Sequence, residues 1–169
     1  MKLARYLLAL LAMFSLTSLF ADSLKVGDAA PVVSGVTDSG TTLDLGQLYQ
    51  ENKYVVVWFY PKALTGGCTK QGCSLRDASK EIAAHGATIV GVSIDPAEKQ
   101  REFKEKNNFP FPLIADMDKK VTRAFGQSAV MFASRECYVI SGGKIVYKDT
   151  GVTDKQAENV LAFLATQKS

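Results

Sequence analysis

Apolar runs and amphipathic segments alternate along this chain. Residues 54–60, YVVVWFY, form an unbroken β-branched and aromatic run, which predicts a strand buried on both faces near the centre of an α/β sheet. Residues 87–94, ATIVGVSI, predict a second buried strand. Between them, residues 73–86 carry apolar side chains at helical spacing and stop at Gly86, a typical helix end. This part of the chain is therefore predicted to alternate strand, helix and strand.

A polar helix is predicted over residues 95–108. Asp95 is placed as its N-cap, Pro96 as its first residue and Glu98 as the partner in a capping box. Phe103 is its main apolar anchor. The pattern predicts a helix lying on the surface of the sheet.

The last third of the chain predicts shorter elements. These are a strand at 111–116, a helix at 117–126, a hairpin of strands 136–140 and 144–149, and a final helix at 153–167 with Thr153 and Gln156 as a capping box. Alternating strands and helices followed by a hairpin predict an α/β sandwich with a mixed central sheet flanked by helices. The thioredoxin-like fold has this order of elements.

The N-terminus has the pattern of a secretory signal peptide. Lys2 and Arg5 precede an apolar stretch at 6–20, which is shorter than the roughly 20 residues of a membrane-spanning helix. Ala21 is a small residue at the change to polar composition. We therefore expect a signal peptide at 1–21, a single thioredoxin-like domain at 22–169 and an exported, periplasmic protein, with an uncleaved anchor helix as the alternative.

Charge and cysteine content exclude several classes of protein. The formal net charge is only +3, and two of those charges belong to the predicted signal peptide, so nothing favours a nucleic-acid partner. Three cysteines are too few for a disulfide-stapled scaffold, and the odd number leaves at least one unpaired or reactive. His85 is the single histidine, which argues against a closed zinc site, and we expect neither a metal nor a cofactor.

Cys68 occupies the junction between the predicted central strand and the following helix. Unpaired N–H groups at a helix N-terminus stabilise a thiolate. Gly66 and Gly67 allow a reactant to approach the backbone closely, and Thr65 places a hydroxyl nearby. These neighbours predict a nucleophilic sulfur, with a buried cysteine acting as a small hydrophobe as the alternative.

Cys73 follows Cys68 at a spacing that does not suit a fixed disulfide. Two helical residues five positions apart have Cα atoms separated by about 8.5 Å, whereas a disulfide requires roughly 4.4 to 6.8 Å. Two thiols that meet only after local unfolding suit a catalytic cycle in which one is oxidised and the other resolves it.

The sequence resembles the peroxiredoxins. Pro61, Thr65 and Cys68 fit the pattern P-x-x-x-T/S-x-x-C of their peroxidatic site, and GCTKQGCSLRD is similar to the peroxiredoxin Q, or bacterioferritin comigratory protein, branch. Further similarity lies in VGDAAP, IVGVSID, FPLIAD and SRECYVI. The resemblance implies that Cys68 is peroxidatic, Cys73 resolving, Thr65 a hydrogen-bond partner, Arg135 the activating cation and Pro61 a shield.

The resemblance also implies an activity. The protein is expected to be a thiol-specific peroxidase that reduces hydrogen peroxide and organic hydroperoxides, forming a sulfenic acid and then a disulfide. A thioredoxin-like donor would recycle it, and we expect a monomer or a weak dimer. Without the resemblance, the residues alone do not favour Arg135 over Arg76 or Arg123.

Two positions depart from the family pattern. Gly66 stands where the family usually has proline, which loosens the loop. Cys137 stands where threonine is usual, and the favoured interpretation is a buried strand cysteine, with an alternative resolving thiol as the other possibility.

Two other functions on the same fold fit the sequence less well. An exported thiol–disulfide oxidoreductase normally carries C-x-x-C, whereas this chain has C-x4-C. A non-catalytic copper-delivery module requires soft ligands with a distant histidine, and only His85 is available.

Overall fold

The computed structural model describes residues 23–128 and 130–167, so the predicted signal peptide lies outside the described residues. Within them, no helix is both long and apolar enough to cross a membrane. The strands are β1 Ser34–Val36, β2 Thr42–Asp44, β3 Tyr54–Phe59, β4 Ala87–Ser93, β5 Leu113–Ala115, β6 Glu136–Ser141 and β7 Lys144–Thr150. The helices are α1 Leu45–Glu51, α2 Gly66–Asp77, α3 Ser79–Ala84, α4 Ala97–Asn107, α5 Lys120–Ala124 and α6 Gln156–Ala165.

Five of these strands form one mixed sheet in the order β5-β4-β3-β6-β7. Strands β3, β4 and β5 run parallel, and β6 and β7 add antiparallel on the other side of β3. Strands β1 and β2 pair as a separate antiparallel ribbon. The predicted mixed sheet flanked by helices is confirmed.

The central strand β3 is buried on both faces, as its sequence predicted. Val56 and Trp58 pack into one hydrophobic core, whereas Val57 and Phe59 pack into a second core on the other face. The first core is covered by α2, α3, α4 and α6, and it contains Cys68. Apolar packing on both sides fixes the end of β3, from which the next loop projects.

The predicted hairpin is confirmed. Strands β6 and β7 flank Gly142 and Gly143, whose φ angles of 54° and 72° suit a two-residue turn that requires left-handed backbone at both positions.

The helix predicted over 73–86 differs from the observed one. It begins at Gly66 rather than Cys73 and is interrupted at Ala78, so that two shorter helices, α2 and α3, replace it. Glycines 66 and 67 have low helix propensity, which hides this start in the sequence. His85 is the C-cap of α3, directly before the predicted helix end at Gly86.

Both predicted capping boxes are wrong. Pro96, not Asp95, is the N-cap of α4, and the Asp95 carboxylate accepts hydrogen bonds from Ala63 N–H and Ser93 Oγ instead. Thr153 does not cap α6, whose N-cap is Lys155. Gln156 is fully buried and bonds to other elements. In both cases a tertiary partner replaces the local one.

Candidate active site

The loop after β3 holds the predicted nucleophile in place. Asp95 accepts a hydrogen bond from Ala63 N–H at 2.7 Å and so ties this loop to the end of β4. The next residue, Leu64, has a φ of 65°, a left-handed conformation that is strained for a side chain of this size. Thr65 returns to extended backbone as the N-cap of α2.

Cys68 is the third residue of α2 and is 1% exposed. The N–H groups of this first helical turn have no partners within the helix, so their partial positive charge acts on the thiol. The predicted placement at a strand–helix junction is confirmed.

Arg135 meets Cys68 across the site. Its Nη2 lies 3.4 Å from Cys68 Sγ, although the two residues are far apart in the chain. Arg135 directly precedes β6, where its carbonyl accepts a hydrogen bond from Gly151 N–H at 2.9 Å. A Cβ at Gly67 would lie 3.3 Å from Nη2, so glycine at this position leaves room for the guanidinium.

Three polar residues that the sequence analysis did not assign to the site continue from Arg135. Its Nη1 donates to Gln71 Oε1 at 2.6 Å, and Gln71 Nε2 donates to Gln156 Oε1 at 2.8 Å. Gln156 Nε2 donates to Asp149 Oδ2 at 2.8 Å, which also accepts from Tyr147 at 2.9 Å. We call Arg135, Gln71, Gln156 and Asp149 the amide relay. The available signal was a glutamine on the core-facing side of each of two helices.

Two of the predicted site residues lie in the loop between β3 and α2. Thr65 Oγ1 donates to the Lys62 carbonyl at 2.9 Å, which leaves its oxygen lone pairs free to accept a hydrogen bond. Pro61 is half-buried and lies two residues after the end of β3. Their roles as hydrogen-bond partner and shield stay predictions.

Cys73 lies in the same continuous helix as Cys68, and both thiols are free. Helical geometry therefore applies to both residues, which places their Cα atoms about 8.5 Å apart. The Cys73 thiol is half-buried and 3.8 Å from Asn107 Oδ1 at the end of α4. In this conformation the two sulfurs cannot bond without unwinding α2.

Cys137 is a fully buried residue of β6, as the favoured interpretation predicted. Burial, together with the nearby charge of Asp149, raises the pKa of the Cys137 thiol well above its ordinary value. A thiol of this kind stays protonated and is a poor nucleophile.

The copper-delivery alternative has no support among the described residues. No group of three or more histidine, cysteine, aspartate or glutamate side chains in that part of the chain is placed to hold a metal ion.

Comparisons with known proteins agree with this geometry. Residues 26–148 match the model of the AhpC/TSA family. The chain is 41% identical over 103 residues to peroxiredoxin Bcp of Bacillus subtilis, a match covering 61% of this chain and 64% of that protein.

Solved structures give the same result. Peroxidoxin BcpB of Mycobacterium tuberculosis has a TM-score of 0.81 and 34% identity, covering 86% of this chain and 99% of its own. The bacterioferritin comigratory protein of Xanthomonas campestris has a TM-score of 0.73 and 28% identity, and the match covers 82% of this chain and 98% of that one. Its structure was described with its alkyl peroxide reduction activity.

The family match spans most of the described residues and includes the loop, α2 and Arg135. Peroxiredoxins are thiol peroxidases, so the predicted class of enzyme is confirmed at the level of the family. The chain therefore belongs to the AhpC/TSA family, among the peroxiredoxins related to Bcp and peroxiredoxin Q, as its motif predicted.

Proposed function

We propose that this peroxiredoxin reduces hydrogen peroxide and organic hydroperoxides with Cys68 as the peroxidatic and Cys73 as the resolving residue. The observation that supports this most is the 3.4 Å contact between Arg135 Nη2 and Cys68 Sγ in the first turn of α2. A guanidinium and free helical N–H groups meet at one sulfur, which stabilises its thiolate.

The first step transfers one oxygen atom to sulfur. The Cys68 thiolate attacks the terminal peroxide oxygen, and the O–O bond breaks with its electron pair leaving on the second oxygen. That oxygen takes a proton and departs as an alcohol or as water, while Cys68 becomes a sulfenic acid. In this step Arg135 and the α2 amides would bind the peroxide oxygens, and the Thr65 hydroxyl would accept a hydrogen bond from the peroxide O–H.

The second step forms a disulfide. After the first turns of α2 unwind, the Cys73 thiolate attacks Cys68 Sγ, the S–O bond breaks, and hydroxide leaves and is protonated to water. Two thiols of a thioredoxin-like donor then reduce the Cys68–Cys73 disulfide by exchange. Such a donor is required because an oxidising compartment would otherwise hold the disulfide closed.

The cellular setting is part of the same proposal. Residues 1–21 act as a cleaved signal peptide, and the mature domain works in the periplasm as a monomer or a weak dimer. N-terminal sequencing of the mature protein and its oligomeric state by light scattering test these two points.

The central test removes the nucleophile. Cys68→Ser is expected to abolish peroxide consumption in the presence of a dithiol, whereas the matched change Cys137→Ala keeps it. Mass spectrometry after peroxide titration should place the first oxidation on Cys68. Turnover by Cys68→Ser above a trace would contradict the assignment.

A second test addresses the cation. Arg135→Met is expected to slow the oxidation of Cys68 roughly 10- to 100-fold, because a hydrogen bond to a charged group is lost. Arg123→Met, at an exposed position in α5, is the control. An oxidation rate of Cys68 identical to that of the wild type would exclude Arg135 as the activating residue.

A further inference from the structure

The amide relay joins the predicted activating arginine to a carboxylate through two buried side chains. Gln71 and Gln156 are both fully buried, and they come from α2 and α6, while Asp149 comes from β7 and Arg135 precedes β6. Four segments thus meet in one line of hydrogen bonds of 2.6 to 2.8 Å.

The two ends of the amide relay fix the direction of both amides. A carboxylate can only accept hydrogen bonds, so Gln156 must turn its NH2 group toward Asp149 and its oxygen toward Gln71. A guanidinium can only donate, so Gln71 must turn its oxygen toward Arg135 and its NH2 group toward Gln156. The observed donors and acceptors match this requirement at every link.

Reversing either amide would leave like groups facing each other in a buried site, which is costly. The negative end of the relay therefore determines which face Gln71 presents to the arginine. Tyr147 donates to the same Asp149 oxygen and supports its placement.

We propose that Gln156 and Asp149 are positioning residues of this peroxidase: they fix the Gln71 amide so that it holds the Arg135 guanidinium against Cys68. Neither residue touches the reacting sulfur. The inference rests on the proposed function, because it matters only if Arg135 activates Cys68.

Three variants test the direction of the relay. Gln156→Met keeps the side-chain length and removes both hydrogen bonds. Gln156→Glu places two carboxylates face to face, which breaks the link to Asp149. The double variant combines Asp149→Asn with Gln156→Glu. Its new amide at position 149 would donate to the new carboxylate at position 156, which would still accept from Gln71. The amide relay would then be restored, with its negative charge at position 156 instead of 149. Asn159→Asp is the control, since it adds the same charge to α6 outside the relay.

The rate at which hydrogen peroxide oxidises the reduced proteins is measured by stopped flow, and recovery of that rate in the double variant distinguishes a positioning role from a merely structural one. Gln156→Met and Gln156→Glu are expected to oxidise roughly tenfold more slowly, as for one lost hydrogen bond to a charged group. The double variant should return to within about threefold of wild type, and Asn159→Asp should match wild type. Thermal unfolding of each variant separates this effect from a loss of folded protein.

If Gln156→Met does not fold, the comparison between Gln156→Glu and the double variant still tests the inference. Equal rates for Gln156→Glu and the double variant, or wild-type rates for both single variants, would overturn the inference. Measuring Arg135→Met in parallel distinguishes a failure of the positioning role from a failure of the proposed function. If Arg135→Met is slow while the Gln156 variants are not, only the positioning role fails. If Arg135→Met is unchanged, the activating role of Arg135 fails and the inference fails with it.

Discussion

At the scale of single residues, the site depends on small side chains as much as on reactive ones. Gly67 leaves the space that the Arg135 guanidinium fills. Gly66 instead faces open space, because no atom of another residue outside its helix turn lies within 4 Å of the position that a Cβ would take there. The two glycines are adjacent in the chain but respond differently to substitution.

Gly66→Pro is expected to stabilise the reduced protein. Gly66 is the first residue of α2, where proline is favoured and the N–H is unpaired in any case. The preceding Thr65 has φ −89° and ψ 152°, which are compatible with a following proline. The free energy of unfolding should rise by about 0.4–1 kcal/mol.

Because this stabilisation opposes the unwinding of α2, disulfide formation should slow by roughly two- to fivefold, and more Cys68 should be over-oxidised at high peroxide. Urea unfolding and quenched-flow measurement of the disulfide give the two values. A more stable variant that forms its disulfide at the wild-type rate would show that unwinding does not limit resolution. Gly66→Ala serves as the control for loss of glycine alone.

At the scale of elements, α2 and α6 depend on each other. Helix α6 has no side-chain cap from its own N-cap residue. Instead, Ser74 Oγ on α2 accepts a hydrogen bond from Ala157 N–H at 3.0 Å, so one helix supplies the cap of the other. Ser74 directly follows Cys73, within the part of α2 that must unwind for the two sulfurs to meet.

Oxidation is therefore expected to affect α6 as well as α2. In the disulfide form, amides at 68–76 and the amide of Ala157 should exchange faster, while β3 stays protected. Ser74→Ala should reproduce the effect at Ala157 in the reduced protein, at a cost of about 0.5–2 kcal/mol, and Ser79→Ala should not. Hydrogen exchange followed by NMR measures both. Unchanged protection at Ala157 on oxidation would mean that α2 unwinds only before Ser74.

The elements also show what the sequence could predict. The apolar run predicted the central strand β3, and the two glycines predicted the β6–β7 hairpin. Both could be predicted because burial on both faces and a two-residue turn each leave a pattern in the local sequence. The capping boxes were wrong because Asp95 and Gln156 bond to residues distant in the chain, Ala63 and Gln71. For the site, the motif located Cys68 and Arg135, but no local pattern links Gln71 to Asp149.

At the scale of the whole molecule, a buried thiol and buried tyrosines of raised pKa determine how stability changes at alkaline pH. Burial raises the pKa of the Cys137 thiol from 9.0, and burial likewise raises the pKa of several tyrosines from 10.0. The unfolded chain therefore loses these protons first. Their contribution to stability is fully present below about pH 9 and is lost as the pH rises further.

The free energy of unfolding of the reduced protein is expected to fall from about pH 9 upward, by at most about 1.4 kcal/mol per pH unit for each group. Cys137→Ala should weaken the decline in the free energy of unfolding between about pH 9 and 10. The tyrosines of the unfolded chain lose their protons about one pH unit higher, so they contribute little in this range. Urea unfolding of both proteins between about pH 7 and 10.5 tests this. Parallel curves for the two proteins would exclude Cys137 as a contributor.

The position of Trp58 has an optical consequence. It is the single tryptophan of the chain, it is fully buried, and its ring stacks on Tyr60 at 4.4 Å. A methyl group at Gly72 would lie 3.1 Å from that ring, so α2 covers the indole with the turn between the two cysteines. Unwinding of this turn should admit water to the indole, and its fluorescence emission should move to longer wavelength on oxidation and return on reduction. The enzyme would then report its own redox state without a label, and Cys73→Ser, which cannot form the disulfide, should lose that signal.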